Sequence, residues 1–501
     1  LIAETITNEA LELVKSNKVC GEFAVKVIYE RYSEMLRQSK SELIALRESD
    51  LKSIASSLIE NILRHGDSTF KTIPSGGIVV ADELYPIEML KLVGQGIKGI
   101  VTKKGGITSH VAIIARNNGI PYLIIPEIDL NQIKNYENHY AILDSLNGKF
   151  IINPDEESSK TYNSILARYM KVQEVVKRYA FMEAFTIDQD RIHVLCNVSN
   201  IEEARVASTA GCDGVGLFRV EFLYMSEKPP NYETLYNTFE KLAALFKNKP
   251  VIVRAPDLGA DKPLPYIKLE EPNPFLGLRG IRLLLEYQEE LFKPFIKAFL
   301  AIANKFNNVK LMFPMVSKVK EIYEVVELIE KVKDKYVEDF RKELKLGVMI
   351  ETPAAALMID KLAETGYISF ISIGTNDLTQ YVLAVDRTNA KLSRLYSEIN
   401  PAVLRLIKIA VDQARRYNIG IEVCGEIASK QYAVPILLGL NIKELSVNPV
   451  VVGIIKYTIS KLSSKNLENE LIPELLRLYD EAEVLSKTKH YLRKVGVELL
   501  S

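Results

Sequence analysis

The chain has 501 residues, with 64 basic and 64 acidic side chains, 48% apolar residues and 26% charged ones. That length allows roughly two to four domains, each with a sizeable core, and the charge balance favours neither nucleic acid nor an anionic membrane as partner. No apolar stretch approaches the ~18 residues of a membrane span, and Glu4 and Glu9 break the opening segment where a signal peptide would be apolar, so a cytoplasmic location is expected.

The four cysteines, Cys20, Cys196, Cys212 and Cys424, form no C-x-x-C pair. A zinc knuckle or thioredoxin-like motif is therefore not expected. Cys20, Cys196 and Cys212 read as buried, reduced thiols.

Residues 1 to about 65 read as helices. Leu43, Leu46, Leu51, Ile54, Leu58, Ile59, Ile62 and Leu63 recur at helical spacing, and Gly66 follows as a C-cap. Residues 1–71 are assigned to a helical subdomain. From 72 to 155 short β runs, at 77–81, 98–102, 122–125 and 140–143, mix with helices in a compact α/β domain. Residues 156–190 are a connecting segment, read as one helix because 156–185 lack Gly and Pro. Residues 191–501 carry eight apolar runs, at 192–198, 214–218, 251–254, 309–313, 346–350, 368–373, 419–423 and 442–447. Helical patterns alternate with them, which predicts a parallel sheet closed into a (β/α)8 TIM barrel and an α/β fold class.

In such barrels chemistry sits where the strands end at the C-terminal face. The second run ends at Arg219 and Glu221, and the third at Arg254 and Asp257 with Lys262 close behind. The fifth ends at Glu351, and the sixth at Gly374-Thr375-Asn376-Asp377 with Arg387 further on. The seventh ends at Cys424-Gly425-Glu426. One such arginine alone reads first as half of a surface salt bridge; the whole set at strand ends points to a site. Arginines grip phosphate and carboxylate bidentately. Glu351 and Asp377 supply hard oxygens suited to Mg2+, which shares its shell with water and substrate phosphate. The implied ligand is a small, doubly anionic phosphate ester bound through magnesium. A Cys424 thiolate beside Glu426 and an anionic ligand is disfavoured, so the thiol stays protonated and suits a proton donor.

His110 follows a strand and the Gly105-Gly106 turn and opens a predicted helix from Ser109 to Asn118. Thr108 or Ser109 serves as cap, and Gly119-Ile120-Pro121 ends the helix. An imidazole there lies where backbone N–H groups and the helix dipole favour an added phosphate. A histidine near a helix start is more often structural, and His65, His139, His193 and His490 keep that reading. For His110 the neighbouring motif and the downstream barrel ask for the same chemistry, so it is assigned as a phosphoryl carrier.

The run Gly105-Gly106-Ile107-Thr108-Ser109-His110-Val111-Ala112 resembles the phosphohistidine motif of phosphoenolpyruvate-utilising enzymes. Within that family the barrel is similar to enzyme I of the bacterial sugar phosphotransferase system. The segments that carry the likeness are Gly216-Leu217-Phe218-Arg219-Val220-Glu221, Asp261-Lys262-Pro263-Leu264-Pro265-Tyr266 and Asn273-Pro274-Phe275-Leu276-Gly277. Glu351-Thr352-Pro353, Gly374-Thr375-Asn376-Asp377, Asp386-Arg387 and Cys424-Gly425-Glu426 continue it over nearly the entire chain.

The resemblance implies that His110 takes the phosphoryl group of phosphoenolpyruvate and passes it to the carrier protein HPr. It implies that Arg219, Arg254 and Arg387 hold the phosphate, with Lys262 beside them. Asn376 would orient the ligand, Asp377 would serve both ligand and metal, and Glu351 and Asp377 would bind Mg2+. Cys424 would protonate the departing enolpyruvate to pyruvate. It further implies a homodimer joined through the barrel. Residues 1–65 resemble only the later helices of the carrier-docking subdomain, so a partial docking region and an unpaired edge in the histidine domain are expected. The other readings are a phosphoenolpyruvate synthase or dikinase relative, whose ATP-binding domain the chain has no room for, and a non-catalytic or carrier-independent phosphoenolpyruvate-binding regulator.

Overall fold

The computed structural model describes residues 2–17, 19–37, 76–106, 110–145, 147–262, 264–336, 343–389, 391–497 and 499. The predicted stripe from Leu43 to Leu63, its cap Gly66, and the capping of the histidine helix by Thr108 or Ser109 lie outside these residues. The chain forms two compact units, Leu1–Ala167 and Arg168–Ser501.

In the first unit, helices Ile2–Asn17 and Gly21–Arg37 pack around Ala10, Ala24, Val25 and Ile28. Glu9 ties them across the surface, accepting from Arg31 and, at 2.6 Å, from the Tyr32 hydroxyl. Strands β1 (Ile78–Ala81), β2 (Gly99–Thr102) and β3 (Tyr122–Ile124) form a parallel sheet in the order β1-β2-β3. Helices Pro86–Gly94 and His110–Asn117 cover it with a core of Met89, Leu92, Ile97, Ile100, Val111 and Ala115. The outer edge of β1 has no partner strand among the described residues. Strands β4 (Ala141–Asp144) and β5 (Lys149–Ile152) make an antiparallel hairpin. β5 was not expected from the sequence. Its signal was the Asn147-Gly148 pair, with Gly148 at φ 66° and the Asn147 N–H donating to Asp144 at 3.0 Å.

The predicted helical connector is shorter than expected. The helix is Glu156–Ala180. Past it, strand β6 (Ala184–Phe185) pairs antiparallel with β7 (Arg191–Val198). A turn makes this possible: Thr186 N–H donates to the Asp190 carbonyl at 3.0 Å, and Gln189 adopts φ 64°.

The second unit is a closed parallel barrel of β7 and seven further strands: β8 (Val215–Phe218), β9 (Val251–Arg254), β10 (Val309–Phe313), β11 (Leu346–Ile350), β12 (Ile368–Ile373), β13 (Gly420–Val423) and β14 (Glu444–Val447). Closure is made by β14 against β7, where Glu444, Leu445, Ser446 and Val447 face His193, Val194, Leu195 and Cys196. Helices such as Tyr232–Phe246 and Val319–Tyr336 bury one face, whereas Val434–Gly439 is buried throughout. Lys293–Lys305 buries Phe295, Ile296, Phe299, Leu300 and Ala303 at helical spacing; truncating such a phenylalanine to alanine costs about 3–5 kcal/mol.

The cysteine expectation is corrected. Cys196 and Cys212 form a disulfide, with Cα atoms 5.9 Å apart, and Cys20 is exposed. The return from β7 to β8 brings two residues 16 apart side by side, because Cys196 is in register with Val215, just after Cys212. Cys20 sits in the short turn between the first two helices, where the core of that pair does not reach it.

Candidate functional site

One cavity of about 290 Å3 opens where the barrel strands end, and it gathers all eight predicted barrel residues: Arg219, Arg254, Lys262, Glu351, Asn376, Asp377, Arg387 and Cys424. Arg219, Arg254, Glu351, Asn376, Asp377 and Cys424 sit at or just after strand ends, because parallel strands aim their C-terminal residues at one face; Lys262 and Arg387 reach in from further along the segments that follow β9 and β12. His110 belongs to the other unit, where it opens helix His110–Asn117. The turn before that helix needs glycine at Gly105, where φ is 145° and an added Cβ would meet the Tyr122 hydroxyl at 2.5 Å.

The cavity floor is a charge lattice. Arg254 donates to Glu221 at 2.5 Å, and the Asp257 N–H donates to the same oxygen at 2.8 Å. Lys262 donates to the Asp257 carboxylate at 2.9 Å and to its carbonyl at 3.1 Å. Burial pushes Asp257 up, but Lys262, Arg279 and Arg254 outweigh it and hold the carboxyl well below the usual range. Burial likewise works against Arg254, and Glu221, Asp257 and Glu351 reverse it, so the guanidinium stays charged.

Arg279 was missed by reading strand ends. It lies past β9, in the turn before helix Ile281–Glu286, directly after the Asn273–Gly277 segment. Its side chain is 1% exposed and donates to Asp257 at 3.0 and 3.1 Å and to Asp377 at 3.1 Å twice. The neighbouring Gly280 has φ 56°, and a Cβ there would meet that of Met315 at 2.8 Å. Glu221 and Asp257, which follow the second and third runs, have a role that the sequence does not show: they are carboxylates that keep Arg254 and Arg279 oriented.

Glu351 is 1% exposed and accepts from the Met315 N–H at 2.6 Å. Burial, then Asp257 and Asp377, pushes its carboxyl up to about 7, against Arg254 and Arg279. Asn376 is held by Glu426, whose N–H donates to its side-chain oxygen at 2.9 Å. Arg387 lies 3.6 Å from Asp377. Burial raises the Cys424 thiol to about 12, with Glu422 adding to the effect. The Nε–H groups of Arg254 and Arg387 are buried and have no acceptor among the described residues. The site therefore brings four cationic side chains, Arg219, Arg254, Lys262 and Arg387, together with five carboxylates, Glu221, Asp257, Glu351, Asp377 and Glu426, and a neutral thiol.

Two family models match the chain. The PEP-binding domain of PEP-utilising enzymes covers residues 173–464, and the mobile domain of PEP-utilising enzymes covers residues 73–148. The chain belongs to the PEP-utilising enzyme family. Among curated relatives of this family, the phosphoenolpyruvate-protein phosphotransferase of Buchnera aphidicola subsp. Schizaphis graminum is 34% identical over 495 residues, 98% of this chain and 85% of that one. Its namesake from Bacillus subtilis is 32% identical over 469 residues, 93% and 81% of the two chains. The cavity lies within the residues matched by the PEP-binding domain, and His110 within those matched by the mobile domain.

Proposed function

We propose that the chain is a phosphoenolpyruvate-protein phosphotransferase: it moves the phosphoryl group of phosphoenolpyruvate to His110, releases pyruvate, and passes the group to a carrier, HPr. The observation that carries this reading is the convergence of Arg219, Arg254, Arg387 and Lys262 with Cys424 in one cavity. Phosphoryl transfer needs positioning and charge neutralisation more than covalent help. Arg219, Arg254, Arg387 and Lys262 meet the phosphate and carboxylate, and the free Nε–H groups of Arg254 and Arg387 suit them as anion donors. Asn376 orients the substrate. The Cys424 thiol, kept neutral by burial, gives its proton to C3 of the departing enolpyruvate.

Mg2+ fits two of these residues. Glu351 and Asp377 line the same cavity, and a cation there would offset the burial and the neighbouring Asp257 and Asp377 charges that raise Glu351. Among the described residues no three His, Cys, Asp or Glu side chains cluster to hold a metal alone, so substrate and water would have to complete the shell of an ion bound there. Bound there, it would neutralise charge on the transferring phosphoryl group. We assign residues 72–155 to the histidine-bearing domain, 156–190 to the hinge, 191–501 to the barrel and 1–71 to a partial carrier-docking region. A homodimer through the barrel and a cytoplasmic location complete the proposal.

The deciding experiment is incubation with Mg2+ and phosphate-labelled phosphoenolpyruvate, which should yield an acid-labile phosphoprotein. Labelling that persists in His110→Ala removes the proposal, and transfer of label to added HPr tests the acceptor.

A further inference from the structure

The segment between helices Thr375–Leu383 and Pro401–Arg416 holds a buried carboxyl that the reaction above leaves unused. Glu398 is 4% exposed, and its hydrogen bonds among the described residues all run to the two rim loops that carry Asn376 and Cys424. Its Oε1 accepts from the Thr375 hydroxyl at 2.5 Å, beside Asn376 at the end of β12. The same oxygen accepts from the Ile427 N–H at 3.2 Å, three residues past Cys424 in the loop after β13. Its Oε2 accepts from the Lys430 ammonium, further along that loop, at 2.7 Å. Two residues before Glu398, the Tyr396 hydroxyl donates to the Asn376 carbonyl at 2.9 Å, so the segment meets the first loop twice.

The two loops are packed close where Glu398 joins them. A Cβ added at Gly425 would sit 1.8 Å from Thr375 Oγ1 and 2.7 Å from Thr375 N, so only glycine lets the loops approach this far. The loops also touch directly through Asn376: the Glu426 N–H donates to its Oδ1 at 2.9 Å, and its Nδ2 donates to Glu426 Oε1 at 3.4 Å. That tie belongs to a side chain the reaction needs elsewhere, because Asn376 orients the substrate. Glu398 has no such second duty. It does not line the cavity, and it holds a hydroxyl, a backbone N–H and an ammonium by charge-assisted bonds.

We propose that Glu398 is a positioning residue: bridging Thr375 and Ile427, it fixes the separation of Asn376 and Cys424, so that the enolpyruvate oriented by the first lies within reach of the thiol of the second. The inference rests on the phosphotransferase reading above, with Cys424 as proton donor. When Asn376 turns to the substrate its tie to Glu426 is given up, and the Thr375–Glu398–Ile427 bridge keeps the two strand ends in place. Proton delivery is sensitive to that placement, since a misplacement of about 1 Å costs roughly a hundredfold in rate. Binding is less sensitive. Arg219, Arg254, Lys262 and Arg387 grip the anion, and none of them bonds to Glu398 among the described residues.

The test uses the whole chain with Mg2+ and phosphoenolpyruvate but no carrier, so that each chain releases one pyruvate as His110 is phosphorylated. Quenched flow in water and in deuterated water reads the rate constant of that burst, its amplitude, and the phosphoenolpyruvate concentration giving half the maximal rate. In Glu398→Ala the rate constant should fall about tenfold or more, with a larger solvent isotope effect because proton delivery becomes the slow step. Amplitude and half-saturating concentration should stay within about twofold. Glu398→Gln keeps an acceptor for Thr375 and Ile427 and should recover most of the rate. If the Ala variant is largely unfolded, Thr375→Val, which removes the hydroxyl end of the bridge, should show the same slow burst. A wild-type rate constant with a lower amplitude means a merely structural role and overturns the proposal. So does a raised half-saturating concentration at an unchanged rate, or a slow burst with the wild-type isotope effect. Cys424→Ala separates the two levels: a wild-type rate there removes the thiol as proton donor, whereas a slow Cys424→Ala beside a wild-type rate in Glu398→Ala removes the bridge alone.

Discussion

Arg279 and Asp377 meet side-on, the two guanidinium nitrogens each 3.1 Å from a different carboxylate oxygen. Both groups are buried, so the pair holds Asp377 in one orientation beside Glu351. Removing Arg279 leaves Asp377 and Asp257 buried without their shared cation. Breaking such a pair costs about 3–5 kcal/mol. Arg279→Ala should therefore lower the melting temperature and abolish labelling by phosphoenolpyruvate. Arg279→Lys should not rescue it, because an ammonium cannot present two parallel donors to each carboxylate. Labelling by the Lys variant at the wild-type rate would show that only the charge matters.

The Cys424 thiol stands at about 12 because burial disfavours the thiolate. An acid whose pKa is raised keeps its proton as pH rises, and loses it only on approach to that value. Pyruvate release should therefore show no limb from thiol ionisation between about pH 7 and 10, whereas an ordinary thiol would titrate near 8.5. Stopped-flow pyruvate release across that range checks this, with Cys424→Ser as the comparison. A limb near 8.5 that disappears in the Ser variant would refute the buried, neutral thiol.

The barrel was legible because each strand is a short β-rich apolar run, and Arg219, Arg254, Glu351, Asn376, Asp377 and Cys424 end or closely follow such a run. Lys262 and Arg387 lie further along and were legible through the Asp261-Lys262-Pro263 and Asp386-Arg387 segments that carry the family likeness. Arg279 was not legible by the same rule, since it enters the site from a turn before a helix. Glu422 looked like any polar residue in an alternating strand; only barrel closure reveals that its alternate face is the interior. The Cys196–Cys212 bond depends on register between β7 and β8, which a sequence shows only after the strands are paired.

That disulfide closes a loop with a sequence separation of 16. Cross-linking a loop of this size removes unfolded-state entropy worth about 3 kcal/mol. Reduction, or Cys196→Ala with Cys212→Ala, should lower the melting temperature of the barrel while leaving the cavity residues in place. Melting curves with and without reductant measure it. Equal curves, with two free thiols titrated in the native protein, would show that the bond is dispensable.

Asp188 fastens the chain entering the barrel to its far helices. Its carboxylate accepts from the Thr186 hydroxyl at 2.7 Å, the Ser463 hydroxyl at 3.0 Å, and the N–H groups of Ser464 and Lys465 at 3.0 and 2.9 Å. Burial works against the charge, but the Lys465 N–H, the Thr186 hydroxyl and the Ser464 N–H outweigh it, so the group sits well below the usual carboxylate range. A depressed carboxyl stabilises the fold above its unfolded pKa of about 3.9, and that stabilisation fades as pH falls toward the folded value. Because the side chain is exposed, the gain is discounted to about 1 kcal/mol. Asp188→Asn should therefore melt lower than wild type at neutral pH, and the gap should narrow as pH drops below about 4. A gap independent of pH would mean that Asp188 acts by shape and hydrogen bonding alone, without its charge.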